Sequence, residues 1–204
     1  MLRSELFFHA VALPYELITR TRVWEQHCAK MAHELPHGAK HVLDIGCGPG
    51  NSTVHLPAGS IGGDHALAML RRAKRRNLPL VCLDATALPV RSGSLDAATF
   101  HSVLYLLPHR QETLCEVSRS LRPGGRAVLL EPQRGARATA LGLLRSLAKP
   151  RWALTAALWR AVSTAYGGFY LDELWAHLEA AGLHVLRIDE ALGGLGLLAV
   201  AEKR

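Results

Sequence analysis

A chain of 204 residues that is 49% hydrophobic and 20% charged is long enough for one α/β domain with a buried core, and its composition excludes wholesale disorder. The formal charge of +7, from 24 Lys and Arg against 17 Asp and Glu, makes acidic partners plausible without naming one. Four cysteines with no C-x-x-C pair argue against a disulfide framework or a cysteine zinc site. With no signal-peptide pattern and no apolar run of about 18 residues, the expectation is a soluble, cytoplasmic protein.

In chain order, the first expected element is a helix near 16–34. It leads into His33-Glu34-Leu35-Pro36-His37, which fits the H-E-x-x-H zinc-protease pattern. That chemistry needs both histidines on one face of an unbroken helix, and Pro36 followed by Gly38 ends the helix near Leu35. His37 then falls in a turn and His41 at the start of a strand, so no metal site is expected.

Strand 41–45, His-Val-Leu-Asp-Ile, is a short apolar run suited to a buried parallel sheet, and it enters the turn Gly46-Cys47-Gly48-Pro49-Gly50. Glycines let backbone approach a ligand closely, and Asn51-Ser52-Thr53 offers N-cap chemistry to the segment that follows. The dinucleotide fingerprint G-x-G-x-x-G requires glycine where this chain has Asn51, which weakens an NAD or FAD reading. A strand at 60–63 precedes Asp64, eighteen positions after Gly46, where a carboxylate can accept ribose hydroxyls. A third strand at 80–83 precedes Asp84, able to receive an adenine amino hydrogen. Two acids at consecutive strand ends describe an adenosine pocket.

Further strands near 96–101 and 126–131, with helices near 66–76 and 110–121, complete an alternating pattern, and Arg122-Pro123-Gly124-Gly125 reads as the turn before the fifth strand. The alternation implies an α/β fold built on a doubly wound, mostly parallel sheet. After the fifth strand comes an insertion of about forty residues, too long for a plain connection. Pro150 divides it into helical segments around 136–148 and 151–165. A helix at 171–180 and strands at 183–188 and 195–201, joined through Gly193-Gly194-Leu195-Gly196, close the chain with an antiparallel hairpin.

VLDIGCGPGNST, GGDHALAML, CLDATALPVRSGSLDAATF and LRPGGRAVLLEP stand in the order and spacing of the class I S-adenosylmethionine-dependent methyltransferases, and over residues 40–131 the chain resembles that family. Within it, the pattern is most similar to the small-molecule methyltransferases of ubiquinone and menaquinone biosynthesis, with Phe8-x-x-x-Ala12-x-x-Tyr15-Glu16 matching their leader apart from Glu in place of the usual Asp. The resemblance implies a Rossmann-like seven-stranded sheet with its last strand antiparallel. It implies one methyltransferase domain over 1–204, with an N-terminal helical cap at 1–39, a cofactor-binding core at 40–131, a helical lid at 132–171 and a C-terminal helix and hairpin at 172–204. It also implies S-adenosylmethionine as cofactor and S-adenosylhomocysteine as product. The residues it assigns to cofactor binding are Tyr15, Asp44, Gly46, Cys47, Gly48, Asp64, His65, Asp84, Ala85 and His101.

Because the methyl group on a sulfonium is already activated, alignment and exclusion of water can suffice for transfer. Where the acceptor must lose a proton, His101 is the first candidate base, with Tyr105 and Tyr15 behind it. In the insertion, Trp152 and Trp159 are seven apart and share a helix face. With Leu143, Leu144, Leu147, Leu158 and Val162 they could form an apolar lid over the site or simply pack as core. The basic residues among 134–160 also leave peripheral membrane contact open. His101-Ser102-Val103-Leu104 stands where adenine amino-methyltransferases carry N-P-P-Y or D-P-P-Y, and no Pro-Cys nucleophile appears, so a small apolar or aromatic acceptor is expected rather than nucleic acid. The alternative is a catalytically inactive module that binds S-adenosylmethionine and serves a partner protein.

Overall fold

The computed structural model describes residue 16, residues 20–135 and residues 150–204. Seven strands form one sheet: β1 (Val42–Ile45), β2 (Ile61–Asp64), β3 (Leu80–Cys82), β4 (Leu95–His101), β5 (Leu121–Pro132), β6 (Leu183–Ala191) and β7 (Gly196–Lys203). Their order is β3-β2-β1-β4-β5-β7-β6, with β1 to β5 parallel and β7 inserted antiparallel between β5 and β6. The order reverses between β1 and β4. In a doubly wound sheet that reversal opens a crevice beyond the carboxyl ends of the strands, and ligands bind there.

The helices are α1 (Arg22–His33), α2 (Leu67–Ala73), α3 (Arg110–Ser120), α4 (Pro150–Tyr166) and α5 (Leu171–Ala180). Alternation along the strands divides the core. Leu43, Ile45, Phe100 and Leu129 point to one face, where Leu114 and Val117 of α3 and Leu174 and Leu178 of α5 cover them. Val42, Ala97, Val128 and Leu130 point to the other, beneath Trp24, Cys28 and Met31 of α1 and Trp152 and Trp159 of α4. The central strands β1 and β4 are buried at every position, which is why apolar residues dominate both, interrupted by Asp44 in β1 and by Asp96, Thr99 and His101 in β4.

Several local expectations are corrected. Residues 122–125 do not precede β5 but lie inside it, as an irregularity where pairing jumps from Leu95↔Leu121 to Ala97↔Arg126. Ser52 and Thr53 do not cap a helix: only a short 3₁₀ turn, Thr53–His55, follows the glycines, without a side-chain cap. The expected 66–76 helix is α2 followed by a 3₁₀ turn, Lys74–Arg76, closed by Asn77 at φ 56°. The helix expected at 16–34 is α1 with Glu16 as a separate described residue, and the segment around 136–148 lies outside the described residues.

α1 starts at Thr21, whose hydroxyl accepts from the Trp24 N–H at 3.4 Å, and ends at His33 with the Glu34 N–H donating to the Met31 carbonyl. His33 and His37 therefore do not share a helix face.

Candidate active site

The glycine turn is dictated by backbone conformation. Gly46, Gly48 and Gly50 have φ of 71°, 54° and 80°, a region that L side chains rarely enter. At Gly46 space forbids one as well, because a Cβ would stand 2.4 Å from Val103 Cγ1. The Gly46 and Cys47 N–H groups both donate to the Gly63 carbonyl, at 2.7 and 3.0 Å, anchoring the turn to β2.

Beneath the turn, Asp44 is fully buried and accepts from the hydroxyls of Ser52 (2.7 Å), Thr53 (2.6 Å) and Thr99 (2.9 Å). Burial pushes its carboxyl above the usual range, and the three hydroxyls oppose the shift. Asp44 is thus a strut joining β1, β4 and the chain after the turn, and it does not line the cavity.

Asp64 closes β2. Its Oδ2 accepts from the Gly48 N–H and its Oδ1 from the Ala66 N–H, each at 2.8 Å. Burial raises its pKa, and those N–H groups pull the other way. A carboxylate oxygen has two lone pairs, so each oxygen keeps acceptor capacity after one such bond. Asp84 is held differently: the Thr86 N–H (2.9 Å) and hydroxyl (2.8 Å) both donate to Oδ1 and lower its pKa.

The crevice at the sheet reversal holds a cavity of about 170 Å³. Gly46, Gly48, Asp64, His65, Asp84 and Ala85 all line it. Its opposite wall is apolar, formed by Val103, Leu106 and Leu107 around the 3₁₀ turn Leu104–Leu106. Cys47 points away into the core, with Sγ 3.0 Å from where a Cβ on Gly62 would sit, and burial pushes its thiol pKa up. Tyr15 lies outside the described residues.

His101 and Tyr105 stand behind the wall rather than in the cavity. The His101 ring packs edge-on against Trp24 at 4.6 Å, with Nε2 3.2 Å from Cys28 Sγ. Burial, the largest cause, and nearby His27 lower its pKa to about 3. A base that weak retains little power to take a proton near neutral pH, so the geometry favours a packing role for the imidazole. Tyr105 is 3% exposed in the core, and its N–H donates to Glu131 Oε2 at 3.2 Å.

Residues in and behind the cavity lining that the sequence reading did not single out include Ser102, Thr113 and Glu131. Ser102 lines the cavity at φ 64° and accepts from Trp159 Nε1 at 2.5 Å. Thr113 also lines it, and its buried Oγ1 has no hydrogen-bond partner among the described residues. Glu131 is fully buried and receives the N–H groups of residues 103–105. A charge inside the apolar run Ala127–Pro132 was a visible signal for the last, since buried charge demands partners.

This lining fits an adenosine group. The glycine turn leaves room that a Cβ would fill, two carboxylates enter from adjacent strand ends, an apolar wall suits a purine face, and the orphaned Thr113 hydroxyl awaits a polar atom. Fold and site together define a doubly wound α/β protein with a nucleoside-cofactor crevice.

Comparison with known proteins narrows that class. A family described as methyltransferase domain matches residues 43–129. The chain is 33% identical to a demethylmenaquinone methyltransferase of Mycobacterium sp. (strain JLS), covering 96% of this chain and 92% of that one. Among solved structures, a SAM-dependent methyltransferase from Thermotoga maritima superposes with a TM-score of 0.72 at 18% identity, over 98% of this chain and 99% of the other. The [4+2]-cyclase SpnF does so equally at 0.72, with 14% identity over 98% and 95%. Fold alone therefore does not select the reaction, whereas the full-length sequence relatives do. The chain belongs to the S-adenosylmethionine-dependent methyltransferase family and is a methyltransferase.

Proposed function

We propose that this methyltransferase moves the methyl group of S-adenosylmethionine to a small apolar or aromatic acceptor of the quinol type by in-line displacement. The observation that carries the reading is the composition of the crevice, in which paired strand-end acids face an apolar wall. The name of the mycobacterial relative supports a quinone-type acceptor.

Bound in the crevice, the cofactor would supply a methyl group already activated by its sulfonium. Asp64 would accept the ribose hydroxyls on lone pairs left over from Gly48 and Ala66, Asp84 the adenine amino group, and the backbone at Gly46 and Gly48 would border the methionine portion. His65 and Ala85 would flank the adenosine. Val103, Leu106 and Leu107 exclude water from the opposite side, which favours alignment over acid-base chemistry. His101 and Tyr105 then contribute by shaping the wall rather than by moving a proton.

A lipid-like acceptor would arrive from a bilayer. Leu154 and Leu158, 57% and 41% exposed and one turn apart on α4, give peripheral contact a place to form. Among the described residues no helix is long and apolar enough to cross a membrane.

The test is transfer of labelled methyl from S-adenosylmethionine to a demethylated naphthoquinol, with a catechol and a single-stranded oligonucleotide in parallel. Labelling of the quinol supports the reading. Labelling of the oligonucleotide alone, or of no acceptor despite cofactor binding, refutes it, and the second result favours a binding module.

A further inference from the structure

Glu131 is a fully buried carboxylate behind the crevice wall. It sits at the carboxyl end of β5 with no exposed surface, opposite Leu197 in the β7 ladder, where a carboxylate needs full compensation. The compensation comes from one short segment. Oε1 accepts from the Val103 and Leu104 N–H groups at 3.1 and 2.9 Å, and Oε2 from the Tyr105 N–H at 3.2 Å. These N–H groups open the 3₁₀ turn Leu104–Leu106 and would otherwise have no intrahelical acceptor.

The carbonyl side of the same turn is held by Arg110 of α3. Its guanidinium donates to the Tyr105 carbonyl at 2.6 Å, and to the carbonyls of Tyr166 and Gly167, at the end of α4, at 3.3 and 3.4 Å. The segment so gripped is the cavity wall: Val103 leans over Gly46, and Leu106 and Leu107 face the cavity.

We propose that Glu131 is a positioning residue, whose carboxylate, with the Arg110 guanidinium, fixes the 103–107 wall of the cofactor crevice and ties it to the end of helix α4. The inference rests on the cofactor reading above. It assigns Glu131 no contact with substrate and makes cofactor affinity depend on its ionisation.

The sign follows from the donor count. Three N–H donors on two oxygens suit a carboxylate, whereas a protonated carboxyl brings a fourth hydrogen that needs an acceptor of its own. Burial, the largest cause, raises the Glu131 pKa to about 7, with the three N–H groups and Arg110 holding it down. Cofactor affinity should therefore rise as pH climbs through about 7. The titratable or charged groups on the elements packed around it are Tyr105 in the turn, Arg110 on α3 and His101 on β4, the last held neutral by burial. Glu173 of α5 acts on Arg110 in turn.

The experiment is calorimetric titration of S-adenosylhomocysteine into wild type, Glu131→Gln and Arg110→Gln between about pH 6 and pH 8.5. Wild type should bind several-fold more tightly above the transition than below it. Glu131→Gln should bind about tenfold more weakly, with no slope across that range, since an amide cannot satisfy three N–H groups. Arg110→Gln, which removes the guanidinium that helps hold the Glu131 carboxyl down, should move the midpoint upward. A pH-independent wild type, or a Glu131→Gln variant with unchanged affinity and slope, overturns the proposal. Should Glu131→Gln fail to fold, Arg110→Gln decides, and an unmoved midpoint overturns it. Absence of wild-type binding at every pH rejects the cofactor reading and the proposal with it.

Discussion

At the scale of single residues, the site separates groups that face a ligand from groups that hold those in place. Asp64 belongs to the first kind. Asp64→Ala should weaken S-adenosylhomocysteine binding about tenfold or more, the loss expected for charge-assisted hydrogen bonds, and unchanged affinity in calorimetry would remove it from the ribose contact. Gly46 belongs to the second. Gly46→Ala combines positive φ with collision against Val103 and should cost about 1–3 kcal/mol, read as a lower melting temperature together with lost binding. His101 is a test of environment. With its pKa lowered from the usual 6.5 to about 3, the buried ring stays neutral while its unfolded counterpart takes a proton. Its contribution to stability is then full above about 6.5 and is lost as pH falls toward 3. In NMR its ring signals should hold neutral-imidazole positions at pH 5, and a titration near 6.5 would contradict the burial account.

At the scale of elements, β1 to β5 were legible in the sequence because a parallel sheet covered on both faces writes short, mostly apolar runs, as in Val42–Ile45 and Leu95–His101, broken by few polar residues. Local chemistry was less legible where one residue type has two outlets. The hydroxyls of Ser52 and Thr53 could cap a helix or bind a carboxylate, and only the sheet brings Asp44 within 2.7 Å of both. Glu131 was overlooked although it interrupts an apolar strand just as Asp44 does; no glycine turn follows it, and its partners are on a different element. The Trp152–Trp159 spacing gave a shared helix face but not its destination, which is the core against α1 and β5 rather than an open lid. That packing is checked by Trp159→Phe. Loss of the indole donor to Ser102 should cost about 1 kcal/mol and lower the melting temperature by about 2–4 °C, and no change would show that the bond adds nothing to the docking of α4.

At the scale of the whole molecule, one sheet reversal brings Gly46, Gly48, Asp64, His65, Asp84 and Ala85 along a single crevice, while Asp44, Cys47, His101 and Tyr105 stand outside its lining. The exposed Leu154 and Leu158 extend the account to the protein surface: flotation with anionic vesicles should carry the wild type upward and leave Leu154→Gln/Leu158→Gln below, and equal partition of the two would remove α4 from any membrane role. The central claim remains the identity of the ligand in the crevice. Its most direct test is parallel calorimetric titration of the purified protein with S-adenosylmethionine, S-adenosylhomocysteine and NADH. Micromolar binding of the two adenosyl compounds with NADH silent is the expected result, and binding of NADH alone, or of none of the three, would contradict it.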